Sequence, residues 1–272
     1  MRRLASLLAT RDQRARVARM ALPDDGHGVD AFGLSREWVS LGLGLTRGLY
    51  DAWFRVASAG HEHIPAEGAA ILVANHGGTL PFDAMMLWAD VARHTDPPRL
   101  LRPVADLFVP RLPVVSTLFA PAGAIGGSRG NLEHLLARGE IVAIFPEGTP
   151  GIGKPFRERY ILKPFRPGHA ELALRHRVPV VPVGIVGPEE QMPQLARIEA
   201  RLFGAPYLPV PLTPLPLPVR YHLRYGPPVA LDDLDAARAS EPAVLEEATA
   251  RVETAVRDLV EATLAARKGL FR

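Results

Sequence analysis

Three short runs of almost unbroken aliphatic residues constrain this chain most: residues 69–75 (AAILVAN), 141–146 (IVAIFP) and 178–186 (VPVVPVGIV). A strand with one face in water alternates apolar and polar side chains, so runs that barely alternate predict strands buried on both faces. Segments with helical spacing separate them, one from about Phe82, one over residues 131–139 and one near Gly168 to Arg177. Buried strands alternating with helices form a largely parallel central sheet with helical crossovers, so the fold class is α/β. Residues 99–104 (RLLRPV) and 123–125 (GAI) read as further strands.

The two ends read differently. Over residues 36–56, Trp38, Leu41, Leu45, Leu49, Ala52 and Val56 recur at three- and four-residue steps, with Val39, Leu43, Tyr50 and Phe54 widening the stripe. That spacing predicts one amphipathic helix, either packed on the core or lying in a membrane interface. The proline-rich residues 205–219 predict an extended surface loop, and residues 220–225 (RYHLRY) an added strand. Ser240 is placed to cap a long C-terminal helix with Pro242 in its first turn and Val244, Leu245, Ala248, Val252, Val256, Leu259 and Thr263 on one side. With 272 residues and no break in composition, we expect a single domain. Within it, residues 1–57 form a basic, amphipathic, membrane-contacting segment and 58–272 the main domain.

Composition narrows the chemistry. The sequence contains 0 Cys, which excludes disulfides, thiolate nucleophiles and Cys-ligated zinc and agrees with a cytoplasmic setting. Net charge is only +3, yet Arg2, Arg3, Arg11, Arg14, Arg16 and Arg19 stand against one acid, Asp12, in the first twenty residues. This is the pattern of contact with an anionic membrane face. Nucleic acid is not expected as a partner, because basic residues are not interleaved with aromatics and no binding-module motif is present. The first apolar run is too short for a signal peptide core, and Arg36, Glu37, Arg47, Asp51 and Arg55 interrupt the best candidate for a spanning helix. The expectation is therefore peripheral contact at the inner face of the cell membrane. His61 and His63 form a His-x-His pair, which reads as a polar loop rather than a metal site because no third ligand lies near in sequence.

Residues 71–86 (ILVANHGGTLPFDAMM) are the richest in chemistry. A buried strand ends at Asn75, His76 follows at its carboxyl end, Gly77 and Gly78 permit a tight reversal, and Pro81 opens a helix whose first turn holds Asp83. Ligands bind at that edge of a parallel sheet. An imidazole whose Nδ1 hydrogen is held by a carboxylate presents Nε2 as a base, so one turn delivers both members of a proton-transfer pair. The alternative reading is a satisfied core histidine beside an acid that only stabilises its own helix N-terminus.

Four segments in this order, NHGGTLPFD (75–83), GAIGGSRGN (123–131), FPEGTPG (145–151) and VPVVPVGIVG (178–187), resemble the motif blocks of the glycerolipid acyltransferase family, which includes the lysophosphatidate acyltransferases. The resemblance covers about residues 60–230 and makes 58–272 an acyltransferase domain. It implies that His76 deprotonates an acceptor hydroxyl, which attacks an acyl thioester, and that Asp83 orients His76. It places Asn75, Arg129, Glu147, Gly148 and Thr149 at substrate-binding positions and Val180 to Val183 along a pocket wall. Lys154, Arg157 and Arg159 either supply further cations for an anionic acceptor or belong to a solvated loop. The His-to-Asp spacing of seven resembles a bacterial subgroup near the acylglycerol acyltransferases, and Pro150 stands where the family usually has Arg. Acyl-CoA or acyl-ACP is the implied donor, a lysophosphatidate, lysophospholipid or acylglycerol the acceptor, and no cofactor or metal is required.

Two other classes compete. Gly126-Gly127-Ser128-Arg129-Gly130 matches the nucleophile elbow of serine esterases, with His222 the downstream histidine, but no Asp lies between Ser128 and His222. A non-catalytic lipid-binding protein is the third reading. Oligomeric state has no sequence signal.

Overall fold

The computed structural model describes residues 7–106, 117–198 and 207–271. Arg2, Arg3 and residues 205 and 206 of the proline-rich stretch lie outside the described residues. The strands are β1 (Ala57–Ala59), β2 (Ala70–Ala74), β3 (Leu101–Ala105), β4 (Ile125–Gly126), β5 (Ile141–Ile144), β6 (Val180–Val186), β7 (Gln194–Ile198), β8 (Leu208–Pro211) and β9 (His222–Tyr225). Seven of them make one sheet in the order β1-β9-β6-β2-β5-β3-β4. All neighbours pair parallel except β6 and β9, so the sheet is mixed only where the added strand returns.

Each face of this sheet carries its own apolar cluster. Ala70, Leu72 and Ala74 of β2 point to one face, Ile71 and Val73 to the other. The strand still alternates with period two, but helices cover both sides, so every position is apolar. On the first face lie α1 (Arg11–Arg19), α2 (Arg36–Gly48) and α3 (Phe82–His94). The other face holds α4 (Arg129–Ala137), α6 (Gly168–His176) and the long α8 (Pro242–Ala266). Two single-turn helices, α5 (Thr149–Ile152) and α7 (Pro188–Gln191), follow β5 and β6 at the carboxyl edge.

Some expectations change in detail. The single helix expected over 36–56 is α2 followed by a π turn over Leu49–Trp53, and the chain breaks at Arg55, whose φ is 44°. Its buried side is Val39, Leu41, Leu43, Tyr50 and Phe54, all but Leu41 packed in the same cluster as β2, while Leu45 and Trp53 stay exposed. The helix thus packs on the core and keeps a narrow apolar edge outside. The proline-rich stretch is not loop throughout, because β8 pairs antiparallel with β7 in a separate two-stranded ribbon. Prolines are tolerated there since a ribbon strand needs donors on one side only. Ser240 does not cap α8: Glu241 takes the cap position without a side-chain bond, and Ser240 Oγ accepts instead from the Arg175 guanidinium. No helix among the described residues is long and apolar enough to cross a membrane.

The N-terminal arginines also have internal work. Arg16 donates to Ala92 O (2.5 Å) and to Thr95 O, closing the carboxyl end of α3, and Arg19 pairs with Asp96 at 3.2 Å. Arg36 donates in the same way to Val17 O and Met20 O at the end of α1. A cation at a helix C-terminus is favoured by the unpaired carbonyls and the dipole. Arg16 is therefore not free to meet a membrane.

Candidate active site

The site starts where β2 runs out. Asn75 Nδ2 donates to Ile185 O (2.9 Å) and its Oδ1 accepts from Ile185 N (2.7 Å). The side-chain amide thus imitates one more backbone pairing step with β6 and fixes where the chain leaves the sheet. Asn75 thereby positions the start of the His76 turn.

His76 comes next, at the carboxyl edge. Its Nδ1 donates to Asp83 Oδ2 at 2.5 Å; the Asp83 side chain is 0% exposed and that of His76 16%. Asp83 Oδ2 also accepts from Gly77 N (3.1 Å), and Oδ1 from Ala84 N (2.7 Å). The intervening turn needs both glycines. Gly78 sits at φ 89°, and a Cβ on Gly77 would lie 2.3 Å from Glu189 Cγ. Burial works against a charged His76, but the Asp83 carboxylate, with Glu147 adding to it, more than offsets this and raises the His76 pKa above the usual imidazole value.

Glu147, Lys154 and Glu189 brace this turn from behind. Glu147 Oε1 accepts from His76 N (2.8 Å), and its Oε2 accepts from Lys163 N (2.8 Å) and Lys154 Nζ (3.1 Å). Lys154 Nζ lies 3.0 Å from Glu189 Oε1, and its side chain is 1% exposed. Glu189 Oε2 accepts from Tyr160 N at 2.9 Å. Burial, only partly offset by Lys154, raises the Glu189 carboxyl to about 7. Gly148 follows at φ 58° over the Arg166 guanidinium, and Thr149 Oγ1 donates to Asp106 Oδ2 at 2.9 Å. Glu147, Gly148, Thr149 and Lys154 are thus brought to the His76 turn, but Lys154 is enclosed between two carboxylates and does not stand ready for an anion.

Arg129 and Arg157 are placed elsewhere. Arg129 opens α4 with its guanidinium on Glu133 (3.1 Å) and Glu171 (2.5 Å), 52% exposed, and no described contact joins it to His76. Arg157 is exposed beside Glu158. The place of Arg129 in its motif block did not show that Glu133 on α4 and Glu171 on α6 would claim it. Ser128, the esterase candidate, is the N-cap of α4 and accepts from Asn131 N at 3.2 Å, while His222 lies in β9.

Sequence reasoning missed two features. Glu189, from α7, contacts the His76 turn although it lies 113 residues further along, and only its place just beyond the last motif block hinted at this. His61 does have close neighbours: the ligand atoms of His61, Asp90 and His94 lie within 4.8 Å of one another, contrary to the loop reading. Asp90 is fully buried and accepts from Tyr50, Ser58 Oγ (2.6 Å), His61 Nε2 (2.9 Å) and Tyr225 (2.6 Å). Four donors occupy the lone pairs of one carboxylate, so this cluster is a polar pin between α3 and the sheet edge.

Fold and site together define an α/β enzyme that carries a carboxylate-held histidine at the edge of its central strand. The model of a family described as Acyltransferase matches residues 55–186, which contain the His76 turn and the β5 and β6 blocks. The chain is similar to an uncharacterized protein of Mycobacterium tuberculosis, 40% identical over 259 residues, 90% of this chain and 72% of that protein. It is similar to the human DGAT1/2-independent enzyme synthesizing storage lipids, 28% identical over 77% of this chain and 62% of that enzyme. Among solved structures it resembles the 1-acyl-sn-glycerophosphate (LPA) acyltransferase PlsC of Thermotoga maritima, with TM-score 0.57 and 22% identity over 86% of this chain and 83% of that one. That likeness speaks for the fold. The chain belongs to the acyltransferase family.

Proposed function

We propose that the protein transfers a fatty acyl group from an acyl thioester, on coenzyme A or acyl carrier protein, to a hydroxyl of a lipid acceptor, with His76 as general base and Asp83 orienting it. The observation that carries this reading is the 2.5 Å contact between His76 Nδ1 and a fully buried Asp83 Oδ2 at the carboxyl edge of β2. Nε2 is left to take the hydroxyl proton as the acceptor oxygen attacks the thioester carbonyl. An O–C bond forms, the tetrahedral intermediate expels the thiolate, and the imidazolium returns its proton to sulfur. No covalent acyl-enzyme is needed. Ser128 Oγ caps α4 by accepting from Asn131 N, which supports a structural role for it over a nucleophilic one.

Peripheral contact with an anionic membrane at the cytoplasmic face remains part of this proposal. The exposed edge of Leu45 and Trp53, with Arg47 beside it in sequence and Arg11 on α1, which meets the same helix where Gln13 Nε2 donates to Leu43 O, is the surface we assign to it. Purified protein incubated with labelled acyl thioester and a panel of lysolipids and acylglycerols should yield an acylated lipid, and His76→Ala should abolish it. Release of free fatty acid without lipid product, or an acyl group trapped on Ser128, would overturn the mechanism.

A further inference from the structure

Exposed apolar side chains gather on the β7–β8 ribbon, which stands outside the main sheet. Leu195 and Ile198 on β7, and Leu212 and Leu215 just after β8, are each 58% to 72% exposed. Of β7 only Gln194 is buried. Surface leucines scattered singly are ordinary, but four within one ribbon and its connecting segment make a patch that marks a contact surface.

The patch borders the candidate active site. Tyr207 Oη, at the foot of β8, donates to Thr149 O at 2.7 Å. Leu212 N and Leu217 N donate to Pro193 O (2.8 Å) and Gln191 O (2.7 Å). The ribbon is thus fastened to α5 and α7, which supply Gly151 and Glu189 against the His76 turn, and Leu80 within that turn is exposed as well. On the other flank, Trp53 Nε1 donates to Pro216 O (3.2 Å) and the Arg55 guanidinium to Pro218 O (2.7 Å). β1 runs antiparallel to β2, because β9 reverses the direction between them, so the start of β1 just after Arg55 lies at the same edge of the sheet as His76. Leu215 therefore continues the apolar rim of Trp53 toward the site.

Charge selects the partner. Residues 193–224 hold Arg197, Arg201, Arg220 and Arg224 against one acid, Glu199. Arg197 is exposed near the Tyr207 ring, and Arg157 and Arg159 are exposed shortly after α5. A second copy of the chain packed on this patch by a two-fold axis would set these arginines against one another. An anionic bilayer offers an apolar layer beneath negative headgroups, which suits the leucines and the arginines together.

We propose that the β7–β8 ribbon and residues 212–217 insert into the headgroup region of an anionic membrane and so hold the His76 edge of the sheet against the lipid layer. The proposal rests on the acyl-transfer reading for its consequence: the acceptor's hydrocarbon chain stays in the lipid while its hydroxyl reaches His76 Nε2.

The test is a triple variant, Leu195→Ser with Ile198→Ser and Leu215→Ser, all at exposed positions. Wild type and variant are compared in sedimentation with vesicles of phosphatidylglycerol and phosphatidylcholine, and in acyl transfer to a long-chain acceptor carried in those vesicles and to a short-chain, water-soluble one. Vesicle binding by the variant should fall at least about tenfold, because burying even one leucine side chain contributes on that scale. Its kcat/KM should fall by about tenfold for the vesicle-borne acceptor, with the soluble acceptor and the thermal midpoint unchanged. Arg197→Glu should weaken binding to the anionic vesicles and leave binding to pure phosphatidylcholine as it is. Unchanged vesicle binding in the triple variant, an equal loss on both acceptors, or a wild-type dimer in light scattering that the variant dissociates would overturn the proposal. Vesicle binding lost as expected, with no acylated product from either acceptor in the wild type, would instead keep the insertion and remove the acyl-transfer reading.

Discussion

Asp83 is saturated by three donors, the His76 ring and two backbone amides, and that arrangement decides how His76 titrates. The Asp83 carboxylate beside Nδ1 favours a protonated ring, against the burial that opposes it. Because the base must be neutral to work, kcat/KM should rise with pH through an inflection above the ordinary imidazole value of about 6.5 and then level off. Asp83→Asn removes the charge that lifts the ring, so the inflection should move to lower pH even as the rate falls. A pH–rate profile in which Asp83→Asn leaves the inflection in place would separate Asp83 from the base. His76→Ala should cost about 10²- to 10⁴-fold in kcat with the thermal midpoint nearly unchanged, the range expected for losing a general base. These residues were legible in the sequence, because strand end, glycine pair and helix start lie within sixteen positions, 71–86. Lys154 was legible only as a cation, and the two carboxylates that enclose it come from β5's end and from α7.

At the scale of elements, α3 is the part that positions the site. Asp83 and Asp90 are seven residues apart, close to two helical turns, so both point the same way from α3 toward the sheet. Each receives a histidine, His76 at the carboxyl edge and His61 near β1. Four donors hold the Asp90 pKa below the ordinary carboxylate value although burial opposes this. Asp90→Ala would leave Tyr50, Ser58, His61 and Tyr225 facing an empty space, and should lower unfolding free energy by about 3 kcal/mol or more in urea titrations. Catalysis should suffer as well, since α3 also carries Asp83. Ser128→Ala gives the contrasting result. It deletes the α4 N-cap, so stability should fall by about 1 kcal/mol while acyl transfer proceeds unchanged. Loss of activity with intact stability would restore Ser128 as a chemical group.

The whole molecule adds a pH dependence of stability and a surface. His169 on α6 is 1% exposed and donates Nδ1–H to Arg166 O, and burial lowers its pKa to about 4. The unfolded chain binds this proton near pH 6.5 and the native chain only near 4, so the stabilising contribution is present above 6.5 and lost as pH falls through that window. The loss should amount to about 3 kcal/mol, and His169→Leu should flatten urea midpoints measured between pH 7 and 4. On the outside, Leu45→Ser with Trp53→Ser should weaken sedimentation with anionic vesicles without disturbing the fold, whereas deletion of residues 1–57 would strip Val17, Leu34, Val39, Leu43 and Phe54 from the core. Unchanged vesicle binding in the double variant would remove this surface from the membrane proposal. The α/β class, the His76–Asp83 pair and the family were readable from the sequence, because each is written in residues close together in the chain and governed by periodicity, turn chemistry or local order. Only the tertiary structure decided that Arg16 closes α3, that Arg129 is held by Glu171, that Ser128 caps a helix and that Glu189 borders the base, because the partners in an ion pair or a cavity wall are chosen by chain packing across tens of residues.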